Sequence, residues 1–151
     1  MKIKKIKKVL IPLDYDPSSQ KVAEKGFALA ETMGAEVVLL HVLIDLSHYS
    51  LTYMNMGPLQ LDTVVELKQA SLDFLEKTKL RLGNETIQIL VIEGDFAESI
   101  LTTAKDLNVD VIVMGSHSKS WLGNIVIGSV TEKVFRNITI PLFIIPIKKN
   151  K

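Results

Sequence analysis

Val109-Asp-Val-Ile-Val-Met114-Gly-Ser-His-Ser-Lys-Ser-Trp-Leu-Gly-Asn-Ile-Val-Ile-Gly-Ser-Val-Thr-Glu-Lys133 decides how this chain is read. It opens as an apolar run from Val109 to Met114, meets Gly115 and a polar loop, and regains a helical pattern only at Gly128-Ser129. The order is strand, loop, helix. Such a unit aims backbone N–H groups and a helix N-terminus at one place, which is what a phosphate or another anion requires.

Upstream, the same alternation repeats. Lys8 to Leu13 is a short buried-strand pattern ending at Asp14, and Asp16-Pro17 reads as an N-cap with proline at the first helical position. The helix that follows sets Ala23, Gly26, Phe27, Ala30 and Met33 on one face, with Gly34 as the residue just past its end. Pro12 fits only where a ladder stops, because proline cannot donate to it. Glu36 to Leu43 is almost continuously apolar, as a strand covered on both faces must be. From Ile44 to Leu59 no period is visible, and a loop of that length with Tyr and Met content reads as a lid or a binding surface.

Leu61 to Leu82 resumes a helical pattern through Val64, Leu67, Ser71 and Phe74, and Gly83 ends it. Thr86 to Ile92 is a third strand. Asp95 and Glu98 then frame a capping-box start for a helix striped by Ala97, Ile100, Leu101, Ala104 and Leu107. After Val109 to Met114 come a helix from Ser129 to Arg136 and a last strand from Ile140 to Ile145. The repeated β-α-β-α order predicts an α/β domain spanning residues 1–151, with a parallel sheet between two helical layers.

Composition narrows the function classes. The chain has 151 residues, 47% of them apolar, enough for one domain with a proper core. It holds no Cys, which removes disulfides, thiolate zinc sites and thiol nucleophiles, and fits a cytoplasmic location. His41, His48 and His117 lack metal-ligand spacing. The longest apolar runs fall short of the roughly 20 residues of a membrane span, and the N-terminus shows no apolar signal region. Net charge is +1, yet eight of the 18 basic residues lie in the ends, at Lys2, Lys4, Lys5, Lys7, Lys8, Lys148, Lys149 and Lys151. The acidic remainder disfavours nucleic acid as a partner.

In a doubly wound sheet, ligands bind beyond the carboxyl ends of the strands, where the strand order reverses. Asp14, His41-Val42, Glu93-Gly94 and Gly115 all fall at such ends. Asp14 suits a ribose hydroxyl or an adenine amine, and Val42 can pack on a base. Gly128-Ser129 offers N–H groups and a hydroxyl at a helix start. Plainer readings stand beside these: Ser129-x-x-Glu132 is also a capping box, Asp16 an N-cap, Gly115 a turn, His117 a solvated loop residue, and His41 a satisfied core histidine. Lys119, Lys133 and Arg136 steer phosphates or are simply exposed.

No G-x-G-x-x-G follows strand one, and neither a G-x-x-x-x-G-K-[ST] nor a G-x-S-x-G occurs. A phospho-receiver domain would need an acceptor Asp ending strand three, where this chain has Glu93 and Asp95.

Taken together, these residues resemble the universal stress protein family, from Val9-Leu-Ile-Pro-Leu-Asp14 to Pro141-Leu-Phe-Ile-Ile145. ATP-binding members of that family carry G-x-x-G, nine residues, then G-[ST]. Here Gly115-Ser-His-Ser118 precedes Lys119 to Ile127 and Gly128-Ser129, with Ser118 at the second glycine. The resemblance implies a Rossmann-like three-layer sandwich with five parallel strands in the order 3-2-1-4-5. It implies ATP, or AMP or ADP, with Mg²⁺, in a homodimeric stress-response or signalling module. Pro12, Leu13, Asp14 and Val42 would surround adenine and ribose. Met114, Gly115, His117, Ser118, Gly128, Ser129, Val130 and Thr131 would hold ribose and phosphates. If the Ser118 position takes left-handed backbone, serine costs on the order of 1 kcal/mol relative to glycine, so binding is expected to be kept but weakened.

The dimer has a second argument, because a terminal strand as apolar as Leu142 to Ile145 invites pairing with its own copy at Pro141 to Ile145. Two other functions remain open at this point: a dimeric scaffold of the same family without nucleotide, and a slow ATPase or nucleotide hydrolase. No positioned general base stands out beside the phosphate loop, so efficient catalysis is not expected.

Overall fold

Five strands, all parallel, form one sheet in the order β3-β2-β1-β4-β5 in the computed structural model, which describes residues 3–44, 61–116 and 128–147. The strands are β1 (Lys8–Pro12), β2 (Glu36–Leu43), β3 (Gln88–Glu93), β4 (Val111–Gly115) and β5 (Leu142–Ile145). Among the described residues the helices are α1 (Ser19–Met33), α2 (Leu61–Leu82), α3 (Phe96–Asp106) and α4 (Ser129–Asn137). None of these helices is long and apolar enough to cross a membrane.

Period-two alternation along the central strands builds two cores, one on each face. Val9, Ile11, Val37, Leu39, Val111 and Val113 pack toward α1 and α2, together with Val22, Ala23, Ala30 and Leu75. Leu10, Val38, Leu40, Val42, Ile112 and Met114 pack on the opposite face with Ala97, Ile100, Ala104 and Val134 from α3 and α4. Burying each such Val, Leu or Ile contributes about 1.5–3 kcal/mol, so the sheet's middle is fixed by residues that are apolar on both faces. α1 lies close because Gly26 has no Cβ; one placed there would sit 2.8 Å from Ile11 Cδ1.

Pro12 ends the central strand. Leu13 N–H still bonds Leu40 O at 2.8 Å on the β2 side. Alternation therefore turns the donor that Pro12 lacks toward β4, where the paired register has already ended at Leu10–Ile112.

Several element starts differ from the sequence reading, three of them for a local polar reason. Asp16 does capture a backbone N–H, that of Ser18 at 2.9 Å, but the turn it opens is tight, with Ser19 N–H on Asp16 O, and α1 proper begins at Ser19 with Ser18 as its N-cap. β3 begins at Gln88 rather than Thr86, because Asn84 Oδ1 takes both the N–H and the hydroxyl of Thr86. β4 begins at Val111 rather than Val109, after Asp110 has spent its carboxylate on Lys7 N–H and Lys8 N–H. The last strand begins at Leu142, two residues later than expected. In α2 the stripe holds only in part: Ser71, Leu75 and Thr78 are buried, whereas Leu67 is exposed.

Candidate functional site

Because all five strands run the same way, Pro12, Leu43, Glu93, Gly115 and Ile145 end at one edge of the sheet. The order reverses between β1 and β4, since the chain winds outward from β1 to β3 and then returns to add β4 and β5 on the other side. A crevice is expected at that point, and a cavity of about 880 Å³ opens there. Its wall is built from Pro12 to Tyr15 after β1, Leu40 to Ile44 at the end of β2, Met114 and Gly115 of β4, and Gly128 to Glu132 at the start of α4.

Ten of the twelve residues expected from the sequence line this one cavity: Pro12, Leu13, Asp14, Val42, Met114, Gly115, Gly128, Ser129, Val130 and Thr131. His117 and Ser118 lie outside the described residues, as do Lys119, Trp121 and, apart from Ile44, the segment from Ile44 to Leu59 expected as a lid or binding surface.

Each wall is held differently. Asp14 is exposed, and its Oδ1 accepts the N–H of Asp16 at 3.0 Å, which orients the carboxylate. Val42 is buried on the α3 side of the sheet. Gly115 has no room for a side chain: a Cβ would meet Ile147 Cδ1 at 2.5 Å and Val22 Cγ2 at 2.9 Å. Thr131 is buried and its hydroxyl donates to Gly115 O at 2.9 Å, tying the first turn of α4 to the end of β4. That hydrogen is therefore committed, and toward an anion Thr131 can offer only its backbone N–H.

The capping-box reading of Ser129 gives way here. The N-cap of α4 is Gly128, with extended backbone at φ −61° and ψ 155°, and Ser129 is the first helical residue. Glu132 does not reach back; it pairs with Arg136 Nη2 at 2.7 Å one turn later. Glycine at the cap brings no side-chain acceptor to the orphan N–H groups of the first turn, so among the described residues no side chain caps α4, whose N-terminus and exposed Ser129 line the cavity. Asp95, by contrast, does cap α3, accepting Glu98 N–H at 3.0 Å.

His41 is the satisfied core histidine that its strand position suggested: it is buried, and Nδ1 lies 2.8 Å from Leu13 O. It also borders the cavity, as do Tyr15, Ser19, Phe96 and Ile100, none of which the sequence reading placed at the site. Phe96 was within reach of that reading, because it opens the helix after β3 at the same strand-end edge. It stays 43% exposed although aromatic, between the cavity and a smaller groove lined by Asp95, Lys133 and Arg136.

Among the described residues no group of three or more His, Asp or Glu side chains is arranged to hold a metal ion. The site is thus a largely apolar cleft with one carboxylate on its β1 side and a helix N-terminus opposite. It can pair hydroxyl or amine donors at Asp14, bury a flat apolar group against Val42, and receive negative charge at Gly128 to Thr131.

A sequence model of the universal stress protein family matches residues 5–146. Universal stress protein MJ0577 of Methanocaldococcus jannaschii is 27% identical over 157 aligned positions, covering 95% of this chain and 97% of that protein. Universal stress protein YxiE of Bacillus subtilis is 31% identical over 144 positions, covering 91% and 97%. The solved structure of MJ0577 matches with a TM-score of 0.77 over 97% of this chain and 100% of that one. Two other solved structures share the fold. One is a universal stress protein in complex with cAMP, at 15% identity and TM-score 0.67 over 95% of this chain and 98% of that one. The other is the universal stress protein from Archaeoglobus fulgidus in complex with dAMP, at 17% identity and TM-score 0.64 over 93% and 98%. With the family pattern running almost end to end and the strand order the same as the sequence resemblance implied, this chain belongs to the universal stress protein family.

Proposed function

We propose that the chain binds an adenine nucleotide, ATP or else AMP or ADP, in this cavity, and that nucleotide occupancy sets its behaviour as a homodimeric stress-response or signalling module. One observation carries the reading: Asp14, Val42 and the segment Gly128 to Thr131, from three separate parts of the chain, line the same cavity at the strand-order reversal. A base between Val42 and the β1 end, a ribose at Asp14 and phosphates at the α4 N-terminus use each wall for the chemistry it offers. The cAMP and dAMP complexes of two family members with this fold support an adenine nucleotide as the ligand class.

Mg²⁺ would arrive with the phosphates and be held chiefly by their oxygens and water, because the described residues supply no carboxylate cluster for it. The dimer is proposed through β5, with the segment Pro141 to Ile145 meeting its copy. The phosphate contacts rest on backbone N–H groups and Ser129, with Thr131 holding the loop.

Calorimetric titration with millimolar MgATP tests the reading, together with mass analysis of small molecules released on denaturing the purified protein. Saturable heat, or co-purified ATP, ADP or AMP, is the expected result. No heat and no released nucleotide would instead leave the dimeric scaffold as the function. Steady-state phosphate release at enzymatic rates would make the chain a hydrolase.

A further inference from the structure

Asp14 lies between two anchored neighbours, and the anchors come from other elements. On one side, Leu13 N–H donates to Leu40 O at 2.8 Å and Leu13 O receives His41 Nδ1 at 2.8 Å. A carbonyl oxygen only accepts, so the hydrogen of that bond sits on Nδ1. On the other side, the Tyr15 hydroxyl lies 2.8 Å from Ser71 Oγ of α2. Ser71 Oγ already donates its one hydrogen to Leu67 O at 3.0 Å, so the tyrosine is the donor.

The two anchors also touch. The Tyr15 ring meets the His41 ring edge-on at 4.6 Å and the Phe74 ring at 5.0 Å. Ser71 and His41 are buried, whereas Tyr15 is 53% exposed and lines the cavity. A half-exposed tyrosine adds little to the core, yet its hydroxyl reaches a fully buried serine 56 residues away. What the arrangement does accomplish is to fix the backbone on both sides of a carboxylate that is itself solvent-exposed. An exposed aspartate on an untethered loop would pay ordering entropy each time it met a ligand.

Resting on the nucleotide reading above, we infer that Tyr15, with Ser71 and His41, is a positioning residue that holds Asp14 so that the cavity selects a ribonucleotide over its deoxyribose analogue. A held carboxylate accepts a ribose hydroxyl at no further conformational cost, and is left unpaired when that hydroxyl is missing. A loose one turns to water and discriminates weakly.

The experiment compares ATP with 2′-deoxy-ATP and 3′-deoxy-ATP, each with Mg²⁺, by calorimetry on the full chain and on Tyr15→Phe and Ser71→Ala. The wild type should prefer ATP over at least one deoxy analogue by roughly tenfold, the size of one hydrogen bond to a charged group. Tyr15→Phe keeps the ring contacts and removes only the donor. It should cut that preference to roughly threefold or less by weakening ATP while leaving the deoxy analogue unchanged. Ser71→Ala should do the same to the preference, and the double variant no more than either alone, because both remove the same Tyr15–Ser71 bond. Thermal melts establish that each variant folds; should Ser71→Ala not fold, Tyr15→Phe carries the test alone.

Equal weakening of ATP and the deoxy analogue would mark Tyr15 as merely structural and overturn the inference, as would an undiminished preference. A wild type that binds all three nucleotides equally overturns it while leaving the nucleotide reading intact. Binding of none of the three would bring down that reading and the inference with it.

Discussion

Asp110 stands at the end of the sheet opposite the cavity and stitches β4 to the entry of β1. Its carboxylate Oδ2 accepts Lys7 N–H at 2.8 Å and Lys8 N–H at 3.1 Å, while Lys4 Nζ approaches Oδ1 at 3.1 Å. The residue is 9% exposed, so these donors replace lost water. The Lys7 backbone bond is the largest influence in holding the carboxyl below its ordinary value; burial opposes it, and Lys4 and Lys8 reinforce it. A folded-state pKa lower than the unfolded one means that the unfolded chain binds the proton more tightly. The stabilisation is therefore complete above the unfolded value of about 3.9 and fades as pH falls from there through the folded value. Asp110→Asn should lower the unfolding free energy at pH 7 by about 2 kcal/mol, the size of a hydrogen bond to a charged acceptor, with little from the exposed Lys4 pair. Urea melts between pH 7 and pH 3 check this: the wild type should converge on the variant in acid, and parallel curves would show that another group carries the acid sensitivity.

Helix ends show where residue chemistry turns into architecture. Gly34 closes α1 at φ 64° and ψ 30°, its N–H shared between Ala30 O and Glu31 O, and a Cβ there would meet nothing within 4 Å. Substitution is thus penalised by backbone conformation alone. Gly34→Ala should cost about 1 kcal/mol, and Gly34→Asn less than half of that, because Asn tolerates left-handed backbone. Chemical denaturation of the two variants measures the difference, and a loss equal for Ala and Asn would point to something other than φ. Gly34 was legible in the sequence, as were the full spans of β2 and α2, because a glycine after an apolar helical stripe and an unbroken apolar run each have one dominant physical reading. What escaped were starts governed by side chains that capture backbone groups. Asn84, Asp16 and Asp110 each delay an element by local bonding that competes with helix or ladder. The same limit applied at the cavity. Asp14, Val42 and Gly128 to Thr131 were visible as strand and helix ends, but the Tyr15–Ser71 bond joins residues 56 apart and has no periodic trace. The start of α4 at Ser129 was legible, but its cap was not: Ser-x-x-Glu is a good capping pattern, and Gly128, one residue earlier, took the cap instead.

At the scale of the whole molecule, helices cover both faces of the sheet, and among the described residues β3 and β5 each pair with one strand only. β5 is one such edge, bonded to β4 through Ile112–Leu142 to Gly115–Ile145 and to no other described strand. Phe143 on this strand is 42% exposed, and Phe135 on the neighbouring α4 is 62% exposed. An apolar edge with unpaired backbone groups recruits another strand unless something covers it. A second copy does so with one self-complementary contact that ends the assembly at two chains, whereas a contact between different surfaces would propagate. The proposed dimer therefore predicts a sedimentation mass twice the 16.8 kDa of the chain. Phe143→Lys should shift the protein toward monomer, because the two-fold places the two introduced lysines at one seam, where like charges brought together cost several kcal/mol. Phe143 does not line the cavity, so nucleotide affinity should stay within about twofold of wild type if the two functions are separate. Equilibrium sedimentation and the MgATP titration, run on the same variant, distinguish the cases. A wild type that is monomeric at micromolar concentration removes the dimer. Loss of nucleotide binding together with the dimer would instead mean that pairing at β5 organises the β4–α4 side of the cavity, with Ile147, just beyond β5, packed against the Gly115 position as the physical link.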